Sequence, residues 1–163
     1  MLAKKFETVP EFEDNIVKIP TILLVEDNPG GEALILRAFK MSNQTFDTVV
    51  VRDGAEALDY VFHTGEFQNL DADDQPIMVL LDLKLPEIDG MEVLRRIRDN
   101  EKTRFLPVVI FTTSDNEQDI IEAYGLGANS FVQKPGSLSD LNQTVADIAR
   151  YWCSINRPAP QMG

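Results

Sequence analysis

Apolar residues recur along this chain in two alternating rhythms. Unbroken short runs at Ile22–Val25, Thr48–Val51, Ile77–Leu81, Val108–Phe111 and Ser130–Val132 have strand length and are rich in β-branched residues. Between them, Glu32–Met41, Ala55–His63, Met91–Arg98, Glu117–Tyr124 and Leu138–Trp152 space their apolar residues for one face of a helix. The pattern therefore predicts five strands and five helices in strict alternation. Four helices are announced by an oxygen-bearing residue with an acid three positions on: Asp53/Glu56, Asp89/Glu92, Ser114/Glu117 and Ser137/Asp140. The first member can accept from free amides of the opening turn and the second can reach back. Asn28 before Pro29 marks the start of the first helix, although Gly30 and Gly31 weaken its first turn. Parallel neighbours need crossover connections, so the alternation implies a doubly wound α/β fold: three layers, with a parallel sheet covered on both faces. The unbroken hydrophobicity of the middle strands agrees. Thr64–Gln75, with Gly65, Asn69, Asp71, Asp73 and Asp74, reads as an exposed loop, and there is no internal repeat or low-complexity tract.

Composition narrows the function classes. At 163 residues, 44% hydrophobic and 26% charged, the chain suits one globular domain. The boundaries expected are an N-terminal extension over 1–20, a domain over 21–152 and a tail over 153–163. The 27 acidic residues against 15 Lys+Arg give a formal charge of -12, which opposes a nucleic-acid backbone. Cys153 is the sole cysteine, so an internal disulfide or cysteine-built zinc site is excluded and a reducing compartment fits. Apolar runs of about five residues fall far short of the roughly 20 that span a bilayer. Lys4 and Lys5 are followed by Glu7, Pro10, Glu11, Glu13 and Asp14 rather than by the apolar stretch of a signal peptide. A cytoplasmic location without membrane or nucleic-acid partners is the expectation. Only about eleven residues follow Trp152, too few for a DNA-binding or enzymatic effector, so output would pass through protein contacts.

In open α/β sheets ligands bind beyond the carboxyl ends of the strands. Here the first strand ends in Glu26-Asp27, the third in Asp82 and the fourth in Thr112-Thr113, and Lys134-Pro135 follows the fifth. Crowded carboxylates repel one another and are tolerated mainly where a divalent cation or a positive side chain neutralises them. Hard oxygen ligands suit Mg²⁺ or Mn²⁺.

The segments VEDN, LLDLKLPEIDG, FTTS and NSFVQKP, in this order, resemble the CheY-like receiver domain of two-component response regulators over roughly residues 20–150. TTS, ANSFVQKP and the pair Tyr151-Trp152 are similar to stand-alone regulators that partner bacterial and cyanobacterial phytochromes. The resemblance implies a flavodoxin-like (βα)5 fold with sheet order 2-1-3-4-5. It implies that Asp82 accepts a phosphoryl group from a sensor histidine kinase. Asp27 and Asp82 would ligate Mg²⁺ directly, Glu26 through water and Lys84 through its backbone carbonyl. Lys134 would pair with the phosphoryl group, Thr112 would be the switch hydroxyl and Phe131 the coupled switch aromatic. A cis Lys134–Pro135 bond is implied too. So is homodimerisation through the fourth helix, fifth strand and fifth helix, near which Ile120, Ile121, Tyr124, Tyr151 and Trp152 offer apolar material. Such a chain is no enzyme beyond promoting its own phosphorylation and dephosphorylation.

The parts have physical reasons. In-line phosphoryl transfer gathers charge on equatorial oxygens, so positioning and cations do most of the catalysis. Cations also hold the Asp82 nucleophile ionised against Glu26 and Asp27. Taken singly, Asp27 or Asp82 would be a helix cap or loop acid, Thr112 a satisfied hydroxyl, Lys134 a solvated charge and Phe131 a core aromatic. Their order distinguishes them. His63, without companion histidines, reads as a surface residue, and Cys153 as packing. A haloacid-dehalogenase-type phosphatase would place a second Asp where Lys84 stands. A dinucleotide-binding enzyme would need a Gly-rich turn that Asn28-Pro29-Gly30-Gly31 does not form, and no mononucleotide P-loop is present. The remaining alternative is a phosphorylation-independent receiver-like interaction scaffold.

Overall fold

The structure is a computed structural model that describes residues 17–161. Most of the expected extension, residues 1–16, and the last two residues of the tail lie outside the described residues. The ten elements follow in the expected order: β1 (Thr21–Val25), α1 (Pro29–Met41), β2 (Asp47–Val51), α2 (Gly54–Phe62), β3 (Met78–Leu81), α3 (Gly90–Asp99), β4 (Val108–Thr112), α4 (Glu117–Gly125), β5 (Ser130–Gln133) and α5 (Leu138–Arg150). All neighbours are parallel and the sheet order is β2-β1-β3-β4-β5, the flavodoxin-like arrangement.

Strand alternation divides the core in two. Leu23, Val25, Val79, Leu81, Val108 and Ile110 face one way and pack with Leu58 and Val61 of α2, Val93, Leu94 and Ile97 of α3 and Ala123 of α4. Ile22, Leu24, Met78, Leu80, Val109 and Phe111 face the other way, against α1 and α5. Every residue of β3 and β4 is buried, which is why those strands carry no polar alternation before their ends.

The caps explain where the helices begin. Asn28, Asp53, Asp89 and Ser137 each accept from an amide of the first turn. The expected pair Ser114/Glu117 is corrected. Asn116, not Ser114, caps α4, accepting from the Gln118 N–H at 2.9 Å. Ser114 lies too far upstream, and its hydroxyl instead accepts from the Asn116 N–H and donates to Asp119. α5 also stops short of Trp152. Tyr151–Ile155 forms a wider π turn closed by the Asn156 N–H on the Tyr151 carbonyl.

The segment expected as an exposed loop is anchored by contacts its composition hides. Phe67, in a 3-10 turn over Gly65–Phe67, meets the Tyr60 ring edge-on at 5.1 Å. Gln75 donates to the Val61 carbonyl, and the Lys18 ammonium bridges the Asp73 carbonyl and the Asp74 carboxylate, each at 2.7 Å.

One glycine is required by close approach. At Gly90, the first residue of α3, an added Cβ would lie 2.3 Å from the Asp82 carbonyl oxygen and 2.8 Å from the Leu83 Cα. Both obstacles are backbone, so neither can swing aside. Gly90→Ala is expected to destabilise the fold by about 2–3 kcal/mol through overpacking, read as a lower urea midpoint at unchanged m-value.

Candidate functional site

The carboxyl edge of the sheet brings the expected residues together through its hydrogen-bond ladder. The Glu26 N–H donates to the Val51 carbonyl, the Asp82 N–H to Val25 and the Lys134 N–H to Thr112, at 3.1, 3.1 and 2.7 Å. Glu26, Asp82 and Lys134 are thus each the first residue past a strand, with a backbone still tied to the neighbouring strand. Each side chain therefore leaves from a rigid edge rather than a free loop.

At the centre stands Lys134. Its Nζ lies 2.6 Å from Glu26 Oε2 and 2.9 Å from Asp82 Oδ2, with side-chain exposures of only 15%, 2% and 10% respectively. Glu26 and Asp82 are 56 residues apart in sequence and Lys134 is a further 52 on, so the triad is wholly a product of topology. The Asn28 N–H donates to Glu26 Oε1 and the Lys84 N–H to Asp82 Oδ1, at 3.2 and 3.3 Å. Burial pushes the Glu26 carboxyl above its usual value. The Lys134 ion pair opposes that rise and the Asp82 charge adds to it. Burial alone would lower the Lys134 ammonium, but hydrogen bonds to Glu26 and Asp82 hold it above its ordinary value. The ammonium stays charged.

Ligand oxygens from Glu26, Asp27 and Asp82 all lie within 4.8 Å of one another, with Asp27 exposed on the open side. Three carboxylates so close, with a single ammonium against them, fit a hard divalent cation such as Mg²⁺ or Mn²⁺. Lys84 is brought to the site through its N–H bond to Asp82. The Lys134–Pro135 bond is trans, as are all peptide bonds among the described residues, which corrects the expected cis form. Trans is the isomer an X–Pro amide favours by about 0.5–1 kcal/mol, and Lys134 reaches both carboxylates with it.

Thr112 is fully buried at the end of β4, and its Oγ1 accepts from the Ser114 N–H at 3.2 Å. Phe131 lies half-buried on the edge strand β5, packed on the core layer that holds α2 and α3. Its N–H donates to the phenol oxygen of Tyr124 on α4 at 3.2 Å. Of the other apolar residues expected on this side, Ile121 and Tyr124 are 64% and 50% exposed and Tyr151 is exposed too. Trp152 is a correction: the π turn directs it into the layer between α1 and α5, where it is buried. His63 is half-buried rather than on the surface, closing α2 in the left-handed conformation at φ 54°. Cys153 packs as expected, and burial pushes its thiol up to about 11.

Three features escape sequence reasoning. Gly31 reads as a weak helical residue, yet a Cβ there would press on the Glu26 carboxylate at 3.3 Å, so the glycine reserves room for the acid. Arg98 reads as an ordinary helix-end cation, yet its guanidinium ties the Leu106 and Gly127 carbonyls and Asn129 Oδ1 at 2.7–2.8 Å. The Ser114–Asp119 bond has no recognised spacing. A cleft of ≈ 410 Å³ at the opposite edge of the sheet is lined by other residues, among them Pro20, Tyr60, Leu70, Phe105 and Pro158.

Residues 22–146 match the family described as the response regulator receiver domain. Among curated proteins, a probable methanogenesis regulatory protein, FilR2 of Methanothrix harundinacea, is 45% identical over 93% of this chain and 94% of its own length. Response regulator Rcp1 of Synechocystis sp. is 38% identical over 90% and 97%. The solved Mn²⁺-bound form of Rcp1 superposes with a TM-score of 0.79, at 35% identity over 86% of this chain and 99% of that one. The phosphorylated cyanobacterial phytochrome response regulator RcpA gives 0.81, at 38% identity over 88% and 100%.

The ion triad makes a stability prediction. Without divalent metal, Lys134→Met leaves two buried carboxylates unpaired and is expected to cost about 3 kcal/mol at pH 7 by urea unfolding. Glu26 would then titrate still higher, so the native state binds protons that the unfolded chain releases above its ordinary value of 4.5. The deficit should shrink as pH falls from 7 to 5.

Proposed function

Because the chain belongs to the response regulator receiver domain family, we propose that it is a stand-alone phosphoacceptor switch whose Asp82 takes a phosphoryl group from the phosphohistidine of a sensor kinase. The observation that carries this reading is the Lys134 ammonium bridging Asp82 and Glu26, with Asp27 beside them, at the carboxyl edge of the sheet. An Asp82 carboxylate oxygen attacks phosphorus in line. The new O–P bond forms as the P–N bond to the kinase histidine breaks, and the electron pair stays with the imidazole. Lys134, 2.9 Å from Asp82, holds the nucleophile in place and pairs with the arriving phosphoryl oxygens. Asp27, Asp82, the Lys84 carbonyl and, through water, Glu26 would hold the Mg²⁺ or Mn²⁺, which when bound supplies the remaining positive charge against those oxygens. Thr112 turns its hydroxyl toward the added charge, and Phe131 moves into the space left, so a local charge alters the face of α4, β5 and α5.

The chain acts as a switch rather than an enzyme with a separate substrate, in a cytoplasmic setting. Among the described residues no helix is long and apolar enough to cross a membrane, and the charge of -12 argues against nucleic acid as the target. Likeness to RcpA and Rcp1 supports a phytochrome-type kinase as donor. The higher identity to FilR2 favours, as a second reading, a sensor kinase with another input. Exposed Ile121, Tyr124 and Tyr151 support homodimerisation through α4, β5 and α5.

Incubation with acetyl phosphate and Mg²⁺ should add one hydroxylamine-labile phosphate, visible by mass spectrometry. Asp82→Asn and Asp27→Ala should each lower loading at least about a hundredfold, as expected when a nucleophile or a cation site is lost. Thr112→Ala should load normally and respond weakly. Phosphate retained on Asp82→Asn refutes the assignment. Sedimentation of the phosphorylated chain at micromolar concentration should show a dimer, and a monomer there removes the proposed interface. Rates with a panel of histidine kinases separate the two donor readings.

A further inference from the structure

Helix α4 is attached to the rest of the molecule unlike the other helices. Ala123 is its only fully buried residue, while Ile121 and Tyr124 are half or more exposed. Apolar packing therefore contributes little to fixing its position, and its polar attachments decide where it sits. At its carboxyl end the Arg98 guanidinium from α3 holds the Gly127 carbonyl at 2.8 Å and Asn129 Oδ1 at 2.7 Å. Asn129 Oδ1 also accepts from the Val108 N–H, which fixes this loop to the start of β4. Gly127, at φ 97°, makes the turn. Tyr124 adds a bond to the Phe131 N–H of β5.

The amino end is held differently. Thr112 Oγ1 accepts from the Ser114 N–H, and the Ser114 hydroxyl donates to Asp119 Oδ2 in the first turn of α4. That hydroxyl also accepts from the N–H of the cap residue Asn116. A continuous path of hydrogen bonds therefore runs from a fully buried hydroxyl at the phosphoacceptor edge to the first turn of a lightly packed helix. The path branches at one side chain.

We propose that Ser114 and Asp119 are positioning residues that transmit movement of Thr112 into α4, tilting its first turn about the end that Arg98 holds. The proposal rests on Thr112 being the switch hydroxyl. When Thr112 Oγ1 turns toward the phosphoryl group, the Ser114 N–H loses its acceptor and the backbone at Ser114 shifts. The Ser114 hydroxyl, bonded to Asp119 and Asn116 together, takes the cap and the first turn with it. Tyr124, nearer the fixed end, moves less and stays on β5. The response is a lever with its fulcrum at Arg98, driven from the active-site edge.

The test uses the full chain, acetyl phosphate with Mg²⁺, mass spectrometry for the phosphate on Asp82, and hydrogen exchange for the amides of residues 117–121. In the unsubstituted protein, phosphorylation should change exchange in that turn at least about threefold, as local opening free energies shift. Ser114→Ala and Asp119→Ala should load Asp82 to the same extent but lose most of that change. Asp119→Asn, which keeps an acceptor oxygen for the Ser114 hydroxyl, should retain it. A change of full size in both Ala variants overturns the proposal, as does an Asn variant that fails like Ala. Unphosphorylated Ala variants whose first turn already exchanges as a melted helix overturn it as well, because the pair would then be only a cap. Loaded Asp82 with these outcomes defeats the lever alone. No phosphate on Asp82 in the unsubstituted chain defeats the switch reading and the lever together.

Discussion

The constraint on which the rest depends is electrostatic: a parallel sheet that ends in Glu26, Asp27 and Asp82 collects negative charge at one edge. Coulomb repulsion among such neighbours is severe where water is scarce. The fold meets it with Lys134, delivered by the last strand and tied through its own N–H to Thr112. This single ammonium makes the acid cluster compatible with folding, and in the function proposed above the same group would meet the transferred charge. Stability and the proposed chemistry would then share a residue. The neutralisation is incomplete, with three carboxylates against one cation, and that deficit is what makes the edge receptive to a divalent ion.

Rigidity is distributed to suit that arrangement. β3 and β4 are buried throughout, and Gly90 lets α3 press directly on the backbone that carries Asp82. Gly31 does the same service for Glu26 by leaving its carboxylate room. Along this side the core admits no continuous deformation, because close-packed atoms leave nowhere to go. α4 is the opposite case, with one fully buried residue and polar ties at both ends. Motion directed at the molecule from Asp82 will be taken up where resistance is least.

Much of this was legible in the sequence because the signals are local. Strand-length apolar runs, helical spacing and the caps at Asn28, Asp53, Asp89 and Ser137 each depend on residues within a few positions of one another. The resemblance motifs placed Asp82, Glu26, Asp27, Thr112 and Lys134, and the structure brings these residues to one edge. What failed depended on distance or competition. Ser114 has cap chemistry, but Asn116 has it too and sits next to the first turn. Trp152 reads as a surface aromatic until the π turn directs it inward against α1 and α5. Arg98 is indistinguishable from any cation near a helix end until the chain returns 29 and 31 residues later with Gly127 and Asn129. No window along the sequence contains that information.

The bond between Tyr124 and Phe131 has a consequence for how molecules of this protein can meet. β5 is an outer strand of the sheet, and outer strands offer unpaired amides on which a foreign strand can build. The phenol already occupies the Phe131 N–H, in the middle of a strand only four residues long. A continuous sheet running from one molecule into the next is thereby blocked at this border. Contact across it must be made by side chains, which can be reversed without unzipping backbone.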